Sequence, residues 1–143
     1  MLYHVILVLL ILFIVTQYNS LVRLRNETQN SWAQVDVVLR RRYDLIPNLV
    51  ETVKGYATHE SETLEAVIQA RSGAIDASAV ADQADSENIL SGALRRLFAL
   101  SEAYPDLKAD SNFMELQKQL VQTEGQIAYA RANYNESVLR FNN

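Results

Sequence analysis

The chain of 143 residues has no cysteine, and only four glycines, two prolines and two histidines. Without thiols there is no disulfide framework, zinc knuckle, iron–sulfur site or thiol chemistry. The two histidines leave little for metal or acid–base work, since His4 sits inside an apolar run. His59-Glu60-Ser61-Glu62-Thr63 lacks the second histidine of a zincin, and Tyr56 stands where the Glu-x-x-His of a di-iron bundle needs its glutamate. That segment reads as a solvated helix start, with Thr58 or Ser61 as a local cap. The glycines are scattered singly, so no phosphate-cradling loop exists, and no Ser-His-Asp set is present. With 13 basic and 17 acidic side chains, a net charge of −4 and no aromatic stacking surface, the chain does not suit nucleic acid. No catalytic residue, cofactor, metal or small-molecule substrate is expected, and the reading points away from an enzyme.

What the sequence does have is an apolar beginning. Leu2 to Val15 is apolar apart from His4, and no charged side chain appears before Arg23. A helix over residues 1–18 is about 27 Å long, close to the ~30 Å hydrocarbon core of a bilayer. A signal peptide would carry a basic leading region and a small-residue cleavage site, and neither is present. A core helix apolar on every face would need a larger protein around it. A single-pass anchor fits best, with Leu2, Val5, Leu9, Leu12 and Phe13 facing lipid and Tyr18 at the headgroup level. Arg23 and Arg25 follow the span and no basic side chain precedes it, so the positive-inside rule places the rest of the chain in the cytoplasm.

Residues 19–143 are expected to be helical, because helix formers are plentiful and breakers scarce. Trp32, Leu39, Ile46 and Val53 fall seven apart, with Val35 and Leu49 beside them. Phe113, Leu120, Ile127, Tyr134 and Phe141 repeat the spacing, flanked by Leu116, Ala130 and Val138. Leu90, Ala93, Leu94, Leu97 and Phe98 mark one buried helix face, and Leu64, Val67 and Ile68 another. Tyr104-Pro105-Asp106 ends a helix, and Asp110 or Ser111 caps the next. Ser72-Gly73 ends an earlier one, ahead of a small-residue stretch. Pro47 admits two readings. The favoured one places a turn near Tyr43-Asp44, with Asp44 as N-cap and Pro47 in the first turn, where its missing N–H costs little. The other is one long kinked helix. The favoured reading gives helices at about 19–43, 45–72, 80–103 and 110–142.

Charge is unevenly divided: residues 19–54 carry net +2 and residues 55–143 net −6. Arg40, Arg41 and Arg42 form the strongest local cluster. They cannot share one helix face, and pairing with Asp44, Asp36 or an acidic residue of another helix or subunit is their expected fate. Glu124 and Arg131 are expected to join a polar network inside the helix assembly that fixes register. Asn19, Asn26, Asn48, Asn133 and Asn135, with Tyr18 and Tyr134, are candidates for interhelical hydrogen bonds. Trp32, Phe113 and Phe141 are candidate anchors of an interface.

Several segments resemble the LemA family. They are Tyr18 to Asn26 (YNSLVRLRN), Trp32 to Asp36 (WAQVD), Arg41 to Val50 (RRYDLIPNLV) and Glu102 to Lys108 (EAYPDLK). Gly55-Tyr56-Ala57, His59-Glu60, Thr123-Glu124, Ile127 to Arg131 and Tyr134-Asn135 extend the similarity to nearly the whole chain. The resemblance implies a bacterial membrane protein with one N-terminal span and a four-helix bundle, and no accepted enzymatic activity. The expected architecture is therefore all-α: a transmembrane helix over residues 1–18, then an antiparallel four-helix bundle with long coiled-coil-like helices over 19–143. The expected partners are the lipid bilayer, a second copy of the chain, and in an alternative reading another membrane protein. The leading functional expectation is a scaffold that self-associates and organises or shapes the bacterial inner membrane. The alternative is an adaptor or sensor acting on that other membrane protein.

Overall fold

A computed structural model describes all 143 residues, as five α-helices with no strand. The first, α1, runs without interruption from Leu2 to Lys54. At 1.5 Å per residue its 53 residues make about 80 Å of helix. The turn expected near Tyr43-Asp44 is absent, and Asp44 is an exposed mid-helix residue, not an N-cap. The physical reason lies in the hydrogen bond that Pro47 cannot make. A proline inside a helix leaves the carbonyl four residues earlier without its donor, here the carbonyl of Tyr43. Arg71 supplies the missing donor, its Nε giving a hydrogen bond of 2.8 Å to the Tyr43 oxygen. The helix therefore passes through the proline because another helix caps the gap.

Residues Leu39–Gly125 form one compact unit. Helix α2 covers Ser61–Asp76, passing through Ser72-Gly73, where an end was expected. Helices α3 (Val80–Ser101), α4 (Pro105–Ala109) and α5 (Ser111–Asn142) follow. Leu39, Ile46, Leu49 and Val53 of α1 are buried here with Leu64 and Val67 of α2, Leu90 and Leu97 of α3, Leu107 of α4, and Phe113 and Leu120 of α5. Each such side chain contributes about 1.5–3 kcal/mol on leaving water. Phe98 and Phe113 meet edge to face at 6.2 Å. Pro105 opens α4, where its missing N–H costs nothing. Asp110 caps α5: its Oδ1 accepts from the Phe113 N–H at 2.9 Å, and its Oδ2 accepts from the Tyr56 hydroxyl at 2.7 Å. Those two donors hold the Asp110 carboxyl below its ordinary range, the Phe113 N–H foremost.

Residues Met1–Val38 and Gln126–Asn143 form the other unit. Beyond the apolar run, Val35, Ile127 and Ala130 are its buried apolar residues. Trp32 packs on Tyr134 with ring centroids 5.0 Å apart. Hydroxyl contacts also cross between the helices. The Ser31 and Ser137 hydroxyls lie 3.1 Å apart, and the Thr28 hydroxyl donates to the Ser137 carbonyl at 3.3 Å and to Leu24 within its own helix at 3.0 Å.

Candidate functional site

Every residue from Met1 to Val15 is exposed on α1, including Leu2, Val5, Leu9, Leu12 and Phe13, and Tyr18 is exposed beyond them. No other helix covers this stretch, and α1, which carries it, is long and apolar enough to cross a membrane. Thr16 turns its hydroxyl back to the Phe13 carbonyl at 2.8 Å, as a hydroxyl in an apolar helix must to stay satisfied.

Directly after this stretch lies a groove of about 740 Å³ between α1 and α5. Asn19, Arg23, Asn26, Glu27 and Asn30 line it from one face of α1, and Asn133, Glu136 and Arg140 from α5. Helix periodicity aligns the α1 residues, since 19, 23, 26 and 30 recur at three- and four-residue steps. Arg140 bridges both walls, 2.9 Å from Glu27 and 2.7 Å from Glu136. Its guanidinium is held more firmly charged than usual, chiefly by Glu136. Two arginines and two glutamates make the groove formally neutral, with opposite charges set side by side.

A second polar cluster lies inside the Leu39–Gly125 unit. Arg42 and Glu87 are 3% and 1% exposed and face each other, with Nη1 3.5 Å from Oε2. Arg42 Nη2 also donates to the Ser91 hydroxyl at 2.7 Å. The Tyr43 hydroxyl donates to Glu87 Oε1. Burial pushes the Tyr43 phenol well above its ordinary range, and the Glu87 carboxylate adds to the shift. An ion pair removed from water this thoroughly adds little net stability but is costly to break. Its arrangement suits a register lock between α1 and α3.

The sequence-derived candidates separate accordingly. Arg42 is buried in this pair, while Arg40, Arg41 and Asp44 are exposed on α1. Phe113, expected as an interface anchor, is fully buried, because its heptad stripe is the core stripe of α5. Trp32 is half-buried on Tyr134, and Phe141 remains exposed near the end of α5. Glu124 is exposed and Arg131 half-buried, so they do not form the internal polar network expected of them. That role falls to Glu87. The signal was present: Arg42 stands in step with Val35, Leu39, Ile46 and Leu49, and Glu87 with Leu90, Leu94 and Leu97. One basic and one acidic residue on buried stripes call for each other.

A family model described as the LemA family matches residues 31–143. Protein LemA of Metamycoplasma hominis is 29% identical over 128 residues, covering 87% of this chain and 57% of that protein. Magnetosome protein MamQ 2 of Paramagnetospirillum magneticum is 24% identical over 172 residues, covering 97% of this chain and 63% of the relative. Magnetosome protein MamQ of Magnetospirillum gryphiswaldense is 25% identical over 162 residues, with 93% and 60% covered. The chain thus spans about three fifths of the length of these relatives.

Proposed function

This chain belongs to the LemA family, as a membrane-associated member, and from that premise we propose that it is a non-enzymatic, single-pass scaffold that self-associates in the bacterial inner membrane. On this reading Arg23 and Arg25 keep the domain on the cytoplasmic side. Segments of α1, α2, α3 and α5 form an antiparallel four-helix bundle within residues 39–125. The cross-helix contacts Arg42–Glu87 and Arg71–Tyr43 support that arrangement.

One observation carries the proposal. Helix α5 has two heptad stripes, and only one of them is buried. Phe113, Leu116, Leu120, Thr123, Ile127 and Ala130 lie in the core. Met114, Val121 and Ala128 fall seven apart on the outer side, as do Gly125, Ala132 and Leu139, and all six are exposed. A second heptad seam with small residues at its centre suits close approach of another helix of the same repeat. A second copy presenting the same stripe supplies one, as in a two-fold interface. Lateral pairing of anchored subunits organises the membrane that holds them.

The test is the size of the full-length chain, extracted gently and imaged by electron microscopy without crosslinking. Multimers that Val121→Glu dissociates, with helicity unchanged, are expected. A monodisperse monomer in mild detergent and in native membranes overturns the scaffold reading. A small stoichiometric complex with a different membrane protein favours an adaptor.

A further inference from the structure

We propose that the groove between α1 and α5 binds a phosphoethanolamine group, taken from the headgroup of a membrane lipid. The inference rests on the reading of residues 1–18 as a membrane span. It does not depend on self-association.

Position makes the first argument. Arg23 lies five residues past Tyr18, so its Cα stands about 7–8 Å beyond the span, against an interfacial layer of about 5–7 Å on each side of the hydrocarbon. Helical side chains lean toward the N-terminus, so the Arg23 guanidinium reaches back toward the lipid phosphates. Asn19, on the same face of α1, lies at that level with an amide donor. Among the groove's charged residues, only Arg23 makes no ion pair within the protein, because Glu27 and Glu136 are both engaged by Arg140.

Charge order makes the second argument. Along α1 the groove presents its cation first and an anion one turn farther out, as Arg23 and then Glu27, about 6 Å apart in rise. Glu136 adds a second carboxylate from α5. A phosphoethanolamine headgroup has the matching order, with its phosphate next to the glycerol and its ammonium beyond a two-carbon bridge. The phosphate takes the Arg23 guanidinium and the Asn19 amide. The primary ammonium has three donors to place, and Glu27, Glu136 and the Asn26 and Asn133 carbonyl oxygens are acceptors for them. A trimethylated amine has no donors and loses these bonds. A purely anionic headgroup leaves the groove with a net negative charge and brings no ammonium to Glu27 and Glu136, so the formally neutral groove favours the zwitterion with a free amine.

The experiment uses the full-length chain in vesicles of phosphatidylcholine mixed with either phosphatidylethanolamine or phosphatidylglycerol. Flotation tests the span, and the lipid retained after gentle extraction tests the groove. Phosphatidylethanolamine is expected to be enriched about tenfold over phosphatidylcholine, the ratio that ~1.4 kcal/mol from one charged hydrogen bond supplies. Arg23→Gln and Glu27→Gln should each abolish the enrichment without affecting flotation. Arg25→Gln removes equal charge outside the groove and should preserve it. Arg23→Gln breaks no contact within the protein, so its result holds even if Glu27→Gln loosens Arg140. Equal retention of all three lipids, or enrichment of phosphatidylglycerol to the same degree, overturns the proposal. Soluble phosphoethanolamine that stabilises the chain equally in lipid-free micelles overturns the lipid as its source. Failure to float at any composition defeats the span reading instead, a separate outcome.

Discussion

The two compact units of this chain use polar groups in opposite ways. In Leu39–Gly125 the charges Arg42 and Glu87 are buried among leucines and aimed at each other, with Tyr43 donating to Glu87 Oε1 and Arg42 to Ser91, while Glu87 Oε2 has only the guanidinium 3.5 Å away. In Met1–Val38 with Gln126–Asn143 the charges stay wet, and hydroxyls and one tilted aromatic pair join the helices. A buried pair tolerates one register and penalises every other. Exposed pairs and hydroxyl contacts are weak individually and leave room between helices. The first unit is built to be rigid, and the second keeps a polar groove open.

Removing one partner of the buried pair should break this contrast most sharply. Glu87→Leu removes the carboxylate that faces the buried Arg42 guanidinium, and is expected to cost about 3–5 kcal/mol in urea unfolding followed by circular dichroism. The double variant Arg42→Met with Glu87→Leu should recover most of that loss, since an apolar pair of similar volume buries no charge. Arg71→Ala strands the Tyr43 carbonyl above Pro47, with an expected loss of about 1–3 kcal/mol and faster amide exchange in α1 around residue 47. In the softer unit, Ser137→Ala should cost only about 1 kcal/mol, the net worth of a neutral hydrogen bond.

Titration sharpens the comparison further. The Tyr43 phenol has a raised pKa in the folded state, so the stability it contributes is complete below about pH 10 and declines as pH rises beyond it. Tyr43→Phe should flatten that alkaline decline. Asp110 has a lowered pKa, so its contribution is present above the ordinary carboxyl range and is lost as pH falls below about 4. Asp110→Asn should blunt the acid side of the profile. The smallest effect belongs to the solvent-exposed Arg140, where Arg140→Gln is expected to leave stability unchanged within error.

Much of the core was legible because its period is strict. Leu39, Ile46 and Val53 on α1, and Phe113, Leu120 and Ile127 on α5, are buried where their seven-residue spacing places them. Asp110 was readable as a cap from its place after Tyr104-Pro105 and before an apolar stripe. The passage of α1 through Pro47 was not readable locally, because the group that makes it tolerable is Arg71, 24 residues downstream on another helix. Glu87 was obscured by its polar neighbours Asp85, Ser86 and Asn88, although its phase matched the buried face. The groove was hidden for a third reason. Its walls are more than a hundred residues apart in the chain, and only folding brings Glu27 and Arg140 together.

The Arg71 cap also sets an order of events. A ribosome delivers Pro47 well before Arg71, and in that interval the Tyr43 carbonyl has only water to bond. In that interval α1 is weakest at the proline. The continuity of α1 through Pro47 thus depends on a residue made later in the chain, Arg71 of α2, through a single hydrogen bond.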